Sequence, residues 1–365
     1  VRERIAFLVG KDPELARGGD ITMFGLLRQI AEERFDTEVI CLSEDPSRRT
    51  PGITRVGKPV VALPALAARS ALRRRSLVHT RFDVAEMTDA IEASGASRFV
   101  AVHAYLAEPF LRARQVQPAR DLLVSTEVSE APVWRSRGRL GGIESRRIVR
   151  DEWRVARAAR AIASYDAGEV AAYRNGGVAR VHWLPLTLPP VEPVNVAKTP
   201  PRLVLLGNRH WSPNARAAER LIAWWPQISA GLDGAELWLI GPRPDGPPVD
   251  LPGVLDHGAV DDVAPLLATC RAMVAPVSVG GGVRVKVLEA AARGLPVVSS
   301  PAGVGSVEHL LGIDPVPDGE FVARCRGLLA DAGAAAEAGT ALHAKNAALW
   351  HDRFGRDAVL SWMSS

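Results

Sequence analysis

Short apolar runs ending in glycine or a polar residue recur along the chain, and stretches with helical apolar spacing follow them. The first run is 5–10 (IAFLVG). A polar loop with Gly18-Gly19-Asp20 comes next. Residues 21–33 then place Ile21, Phe24, Leu27 and Ile30 on one helical face. Residues 37–42 (TEVICL) form the next strand-like run. Strand, glycine loop, helix, strand is the opening of a doubly wound α/β domain. The alternation continues through 98–102, which ends at His103, and 121–125, which ends at Thr126-Glu127. Runs 161–164 and 181–184 complete this half.

Six prolines then crowd the chain: Pro185, Pro189, Pro190, Pro193, Pro200 and Pro201. Proline removes ladder donors and blocks helix, so a linker is expected at 191–201. After it the same order restarts. Strands are predicted at 203–206, 236–240, 272–277 and 296–299. Helices are predicted at 215–225, 263–270 and 283–293, with Asp261 or Asp262 capping the second. The pattern predicts two αβ domains, 1–190 and 202–345, with a ligand outside the carboxyl ends of the strands.

Composition narrows the class. The 365 residues are 47% hydrophobic and 24% charged, which excludes whole-chain disorder, collagen and coiled coil. There is no apolar run of about 18 residues, so no transmembrane helix is expected. The opening residues carry acid and base and read as a strand rather than a signal peptide. Cys41, Cys270 and Cys325 are too far apart for a zinc spacing or a disulfide framework, which fits the cytoplasm. Charge is uneven: residues 1–190 hold 30 Lys+Arg against 23 Asp+Glu, and residues 191–365 hold 15 against 18. The basic half is the one expected to face an anionic partner. Arginine outnumbers lysine 40 to 5, which makes Lys286 conspicuous.

The informative segment is 272–300. A buried strand ends in Gly280-Gly281-Gly282, which feeds a helix. The glycines admit a ligand close to the backbone, and the first helical turn points free N–H groups and a positive dipole end at it. Arg284 and Lys286 add charge to this anion site. Glu289 lies three residues after Lys286 on the same face, placed to accept from two neighbouring hydroxyls. An anion beside a diol is the pattern of a nucleotide. The loop Gly207-Asn208-Arg209 follows the first strand of this domain and falls on the same sheet edge. Arg209 thereby offers a guanidinium fork to phosphate.

This segment resembles glycosyltransferase family 4. Its members show R-x-K-x-L-E-A-x-A-x-G-x-P-V-V, here Arg284, Lys286, Leu288, Glu289, Ala290, Ala292, Gly294, Pro296, Val297 and Val298. Pro213-Asn214 after the Gly207-Asn208 loop, the early Gly18-Gly19, His103 and Glu152 fit the same family. The resemblance implies the GT-B fold, two Rossmann-like domains facing each other across a cleft, with a final helix of about 346–365 packing back on the first. It implies sugar transfer from a nucleotide diphosphate to a hydroxyl acceptor with retention of configuration. Arg209 and Lys286 would hold the diphosphate and Glu289 the ribose. Gly280, Gly281, Gly282 and Val283 would offer backbone to the donor, with Gly18 and Gly19 as the facing wall. His103 and Glu127, at strand ends, are candidates for touching the reacting sugars. Many members have two glutamates separated by seven residues, but Gly281 stands at the first position. There is no DxD-type motif, so neither metal nor cofactor is expected.

Plainer readings stand beside these. Lys286 and Glu289 also suit a surface ion pair, His103 suits a hydrogen-bonded structural role, and Trp211, Trp224 and Trp225 suit packing. Between Trp134 and Arg160 nine arginines meet three acids, and Arg146, Arg150, Arg154, Arg157 and Arg160 share a helical face. With Arg73-Arg74-Arg75 this reads either as a solvated face or as a contact with an anionic membrane that presents a lipid-linked acceptor. No nucleic-acid reader motif accompanies the charge. Alternatives to transfer are a sugar-nucleotide epimerase or phosphorylase on the same plan, and a non-catalytic nucleotide-sugar-binding or scaffold protein.

Overall fold

A computed structural model describes residues 2–114, 119–247 and 249–365. It is a two-domain α/β protein with two sheets, parallel throughout. The first sheet holds β1 (Arg4–Val9), β2 (Asp36–Ser43), β3 (Ile53–Gly57), β4 (Arg98–Ala101), β5 (Asp121–Thr126), β6 (Ala161–Ser164) and β7 (Val181–Trp183), in the order β3-β2-β1-β4-β5-β6-β7. The second holds β8 (Arg202–Leu206), β9 (Glu236–Ile240), β10 (Val254–Gly258), β11 (Ala272–Ala275) and β12 (Val297–Ser299), in the order β10-β9-β8-β11-β12. Strand order therefore reverses at β1/β4 and at β8/β11, and ligand crevices in open α/β sheets form at such points.

The central strands read as unbroken apolar runs because helices cover both faces. Ile5 to Leu8 of β1 and all four residues of β11 have no exposed surface. The two strands that the pattern misses, β3 and β10, are edge strands. β3 carries Arg55 in its middle, buried on Asp12 with Nε 2.6 Å from Oδ2. In β10 only Val254 is buried. An edge strand has one neighbour and less cover, so its sequence is shorter and more polar.

By contact the chain forms two units. One comprises Val1–Leu184, Gly281–Val283 and Arg356–Ser365; the other comprises Pro185–Gly280 and Arg284–Gly355. The first boundary thus falls at Leu184 rather than at residue 190. The proline-rich stretch packs within the second unit: Val191 and Val194 donate their N–H groups to Ala292 and Arg293 carbonyls at 3.0 and 2.9 Å. The C-terminal return begins at Arg356 rather than near 346. Helix Ala332–His351 stays with the second unit, and the chain breaks at Arg353, whose φ is 58°. Helix Phe354–Met363 follows. Its Met363 carbonyl accepts from Arg98, and Val359, Leu360, Trp362 and Met363 are buried. Among the described residues no helix is long and apolar enough to cross a membrane.

Candidate functional site

In the first unit, the loops after β1, β4 and β5 carry the predicted residues. Gly18 precedes helix Gly19–Ala31 with φ 127°, a conformation that favours glycine, and its carbonyl accepts from the Ile21 and Thr22 amides. His103 follows β4 and Glu127 follows β5, with His103 Nε2 3.3 Å from Glu127 Oε2. Burial lowers the imidazole pKa to about 4. Burial, with Asp20 adding to it, pushes the Glu127 carboxyl well above its usual range. Burial thus disfavours the charged form of both groups. Glu127 Oε1 and His103 Nδ1 are buried without a hydrogen-bond partner. Such atoms suit a ligand's hydroxyls. Glu152 lies nearby, its carboxylate 2.9 Å from Ser129 Oγ, with its pKa raised to about 8 chiefly by burial.

Gly281–Val283 belong by contact to this first unit. The Val283 N–H, expected to face the donor, is donated to the Glu127 carbonyl at 2.9 Å. Gly282 has φ 69°, and a Cβ on it would lie 1.5 Å from that carbonyl oxygen, so no other residue fits there.

In the second unit, the loops after β8 and β11 meet through a residue that the motif reading quoted without giving it a role. Asn214 is buried; its Nδ2 donates to the Asn208 carbonyl at 2.9 Å, and its Oδ1 accepts from Lys286 Nζ at 2.7 Å. Gly207, with φ 152°, makes room: a Cβ there would meet the Asn214 amide at 2.7 Å. Lys286 stands near the start of helix Val285–Ala292, and burial, with Arg284 beside it, lowers its pKa to about 8. The Lys286–Glu289 pair that the spacing allows does not form, because Glu289 pairs with Arg293 one turn on. Arg284 lies over Gly305, where a Cβ would fall 2.8 Å from Nη2. Gly280 is in ordinary contact range of Trp211.

Arg209 is buried, and its fork is closed on Asp256, with Nη1 and Nη2 at 2.9 and 2.5 Å from the carboxylate. Asp256 lies in β10, the polar edge strand that the apolar pattern did not reveal, so this partner was not legible. Arg243 Nε lies 3.3 Å from the same carboxylate. Beside it a cavity of about 300 Å³ is lined by Pro242, Arg243, Pro244, Asp245, Gly246, Gly258 and Ala259. The tryptophans pack: Trp225 is fully buried with Nε1 donating to the Pro252 carbonyl, and Trp224 lies on Phe321.

Residues 200–335 match the family model described as glycosyl transferases group 1. Among curated proteins no sequence matches the chain. Solved structures of similar fold include the sucrose-phosphate synthase of Thermosynechococcus elongatus, with TM-score 0.73 and 16% identity over 99% of this chain and 97% of that one. Anabaena Alr3699/HepE in complex with UDP and glucose has TM-score 0.62 and 13% identity over 100% and 98%. A putative UDP-N-acetylglucosamine 2-epimerase from Listeria monocytogenes has TM-score 0.61 and 13% identity over 100% and 96%. At these identities the likeness establishes the fold. With the family match it supports a GT-B glycosyltransferase.

Proposed function

We propose that this protein transfers a sugar, with retention, from a nucleotide diphosphate to a hydroxyl on a glycan, a small molecule or a lipid-linked acceptor. It does so without a metal cofactor, in the cytoplasm, with an anionic membrane surface as a partner of its basic N-terminal unit. The observation that carries the reading is the half-buried Lys286 ammonium, held on Asn214 where the loops after β8 and β11 meet, within the matched segment. A diphosphate leaving group gains negative charge as the sugar departs. Lys286 and the first turn of Val285–Ala292 are fixed beforehand to stabilise that charge. Arg209 joins them if phosphate displaces Asp256 from its fork, and Glu289 takes the ribose diol in place of Arg293. The cavity beside Arg243 takes the base, and His103 and Glu127 take sugar hydroxyls through their unpartnered atoms.

The test is thermal unfolding with UDP, GDP, ADP and their common sugar conjugates, without and with magnesium. A ligand that binds the folded state raises the melting temperature by mass action. One base is expected to do so equally in both conditions. No shift with any nucleotide overturns the reading, and a sugar nucleotide converted without acceptor identifies an epimerase instead.

A further inference from the structure

The arginine-rich face foreseen in the first unit is largely paired with carboxylates of the same chain. Arg147 pairs with Glu144, Arg150 with Asp151, Arg154 and Arg75 with Glu108, Arg160 with Asp121, and Arg73 with Asp83. What remains outward is different in kind. Helix Leu63–Arg73 buries only Leu66 and Ser70, although its sequence is mostly alanine and leucine. Leu63 is 69% exposed and Leu72 86%. Arg147 donates to Ser70 Oγ at 2.7 Å, and Arg150 donates to the Arg74 carbonyl, so this helix lies beside helix Gly138–Ala158. The first turns of that second helix leave Leu140 83% and Ile143 58% exposed.

The cations left over around these side chains are basic residues without a carboxylate partner among the described residues. No acid occurs between Asp45 and Asp83, and of the nine cations there Arg48, Arg55, Lys58, Arg73 and Arg75 pair with acids from elsewhere in the chain. None occurs between Glu130 and Glu144, which holds Arg135, Arg137 and Arg139. Arg69 and Arg146 are exposed and have no carboxylate partner among the described residues. A helix with so little buried surface, large apolar side chains in water and unpaired cations is suited to the boundary of an anionic bilayer. There leucine enters the acyl edge and arginine meets headgroup phosphate. A second copy fits poorly, because two faces of the same positive charge repel each other.

We infer that helix Leu63–Arg73 and the first turns of helix Gly138–Ala158 form a peripheral docking surface for an anionic membrane, with Leu63, Leu72, Leu140 and Ile143 inserting between arginines. This deepens the membrane element of the proposed function and does not depend on sugar transfer.

The experiment is co-sedimentation of the full chain, without nucleotide, with vesicles of phosphatidylcholine alone and of phosphatidylcholine mixed with phosphatidylglycerol. Binding is expected only to the mixed vesicles and is expected to weaken with salt. Arg69→Gln and Arg146→Gln should each lower partitioning about fivefold. The double variant Leu72→Ser, Leu140→Ser should lose binding while its circular dichroism and its nucleotide-induced melting shift stay unchanged. Should the leucine variant unfold, the two exposed arginine variants still decide. Equal binding to both vesicles, no binding, or unchanged binding by the variants overturns the inference. So does a dimer of the unmutated chain that the leucine variant dissolves. The nucleotide shift is measured without vesicles, so the donor-site reading and the docking surface fail separately.

Discussion

Lys286 is held where its charge is disfavoured. Burial brings its pKa to about 8, and the carbonyl oxygen of the Asn214 amide accepts its hydrogen bond. An arriving diphosphate favours the charged form, so binding raises that pKa and takes up a proton. Affinity for a nucleoside diphosphate is therefore expected to be level below about pH 8. Above it affinity should fall by up to about tenfold per pH unit, until the pKa of the bound state is reached. Titration calorimetry in buffers of different ionisation enthalpy reads the uptake directly. Asn214→Asp places a carboxylate on the ammonium and should move this limb to higher pH; an unmoved limb would take Lys286 out of the binding step. Lys286→Ala is expected to lower sugar transfer about 100-fold or more, as loss of a preorganised charge does. Glu289→Ala should cost about tenfold or more, chiefly in the donor KM. Both should keep the original melting temperature, and near-normal turnover in both would refute their assignment. The residue types of this site were legible because glycine, lysine and glutamate stand at short spacing. Their partners were not: Asn214 and Asp256 lie 72 and 47 positions away from Lys286 and Arg209, and distance along the chain carries no signal of contact.

At the scale of elements, the motif glycine Gly294 has a structural task. It ends helix Val285–Ala292 with φ 67°, and its carbonyl oxygen would lie 2.1 Å from a Cβ on Gly339. Two glycines thus let helix Ala332–His351 cross the end of the helix that carries Lys286. Gly339→Val is expected to cost about 1–3 kcal/mol in urea unfolding, the range of overpacked interiors, and unchanged stability would show that the crossing has slack. Buried strands were readable because both of their faces demand apolar residues. β3 and β10 were not, since one neighbour and partial cover leave room for Arg55 and Asp256. The arginine face of helix Gly138–Ala158 shows the reverse limit. Its periodicity was plain, yet whether each guanidinium meets water or a carboxylate depends on packing: Glu144 and Asp151 of the same helix take Arg147 and Arg150, and Glu108 and Asp121 from other elements take Arg154 and Arg160.

At the scale of the molecule, the last ten residues complete the first unit. Trp362 is fully buried in it, Arg356 pairs with Glu33, and Arg160 donates to the Ser365 carbonyl at 2.7 Å. Trp362→Ala should destabilise the first unit by about 3–5 kcal/mol, seen as an earlier thermal transition. The nucleotide-induced shift belongs to the second unit and should persist in a chain that remains folded. Loss of that shift in a folded variant would place the donor contacts elsewhere. Hydrophobic period, glycine placement and the proline cluster were enough by themselves to establish two successive αβ units and most of their central strands. Those are local properties, set by what a short stretch can bury or which backbone angles it can adopt. The tertiary structure alone decided that Arg209 rests on Asp256, that Lys286 rests on Asn214, that the proline-rich stretch belongs to the second unit, and which arginines remain outside. Each of these is a competition among groups distant in sequence, and only their packing together settles which partner wins.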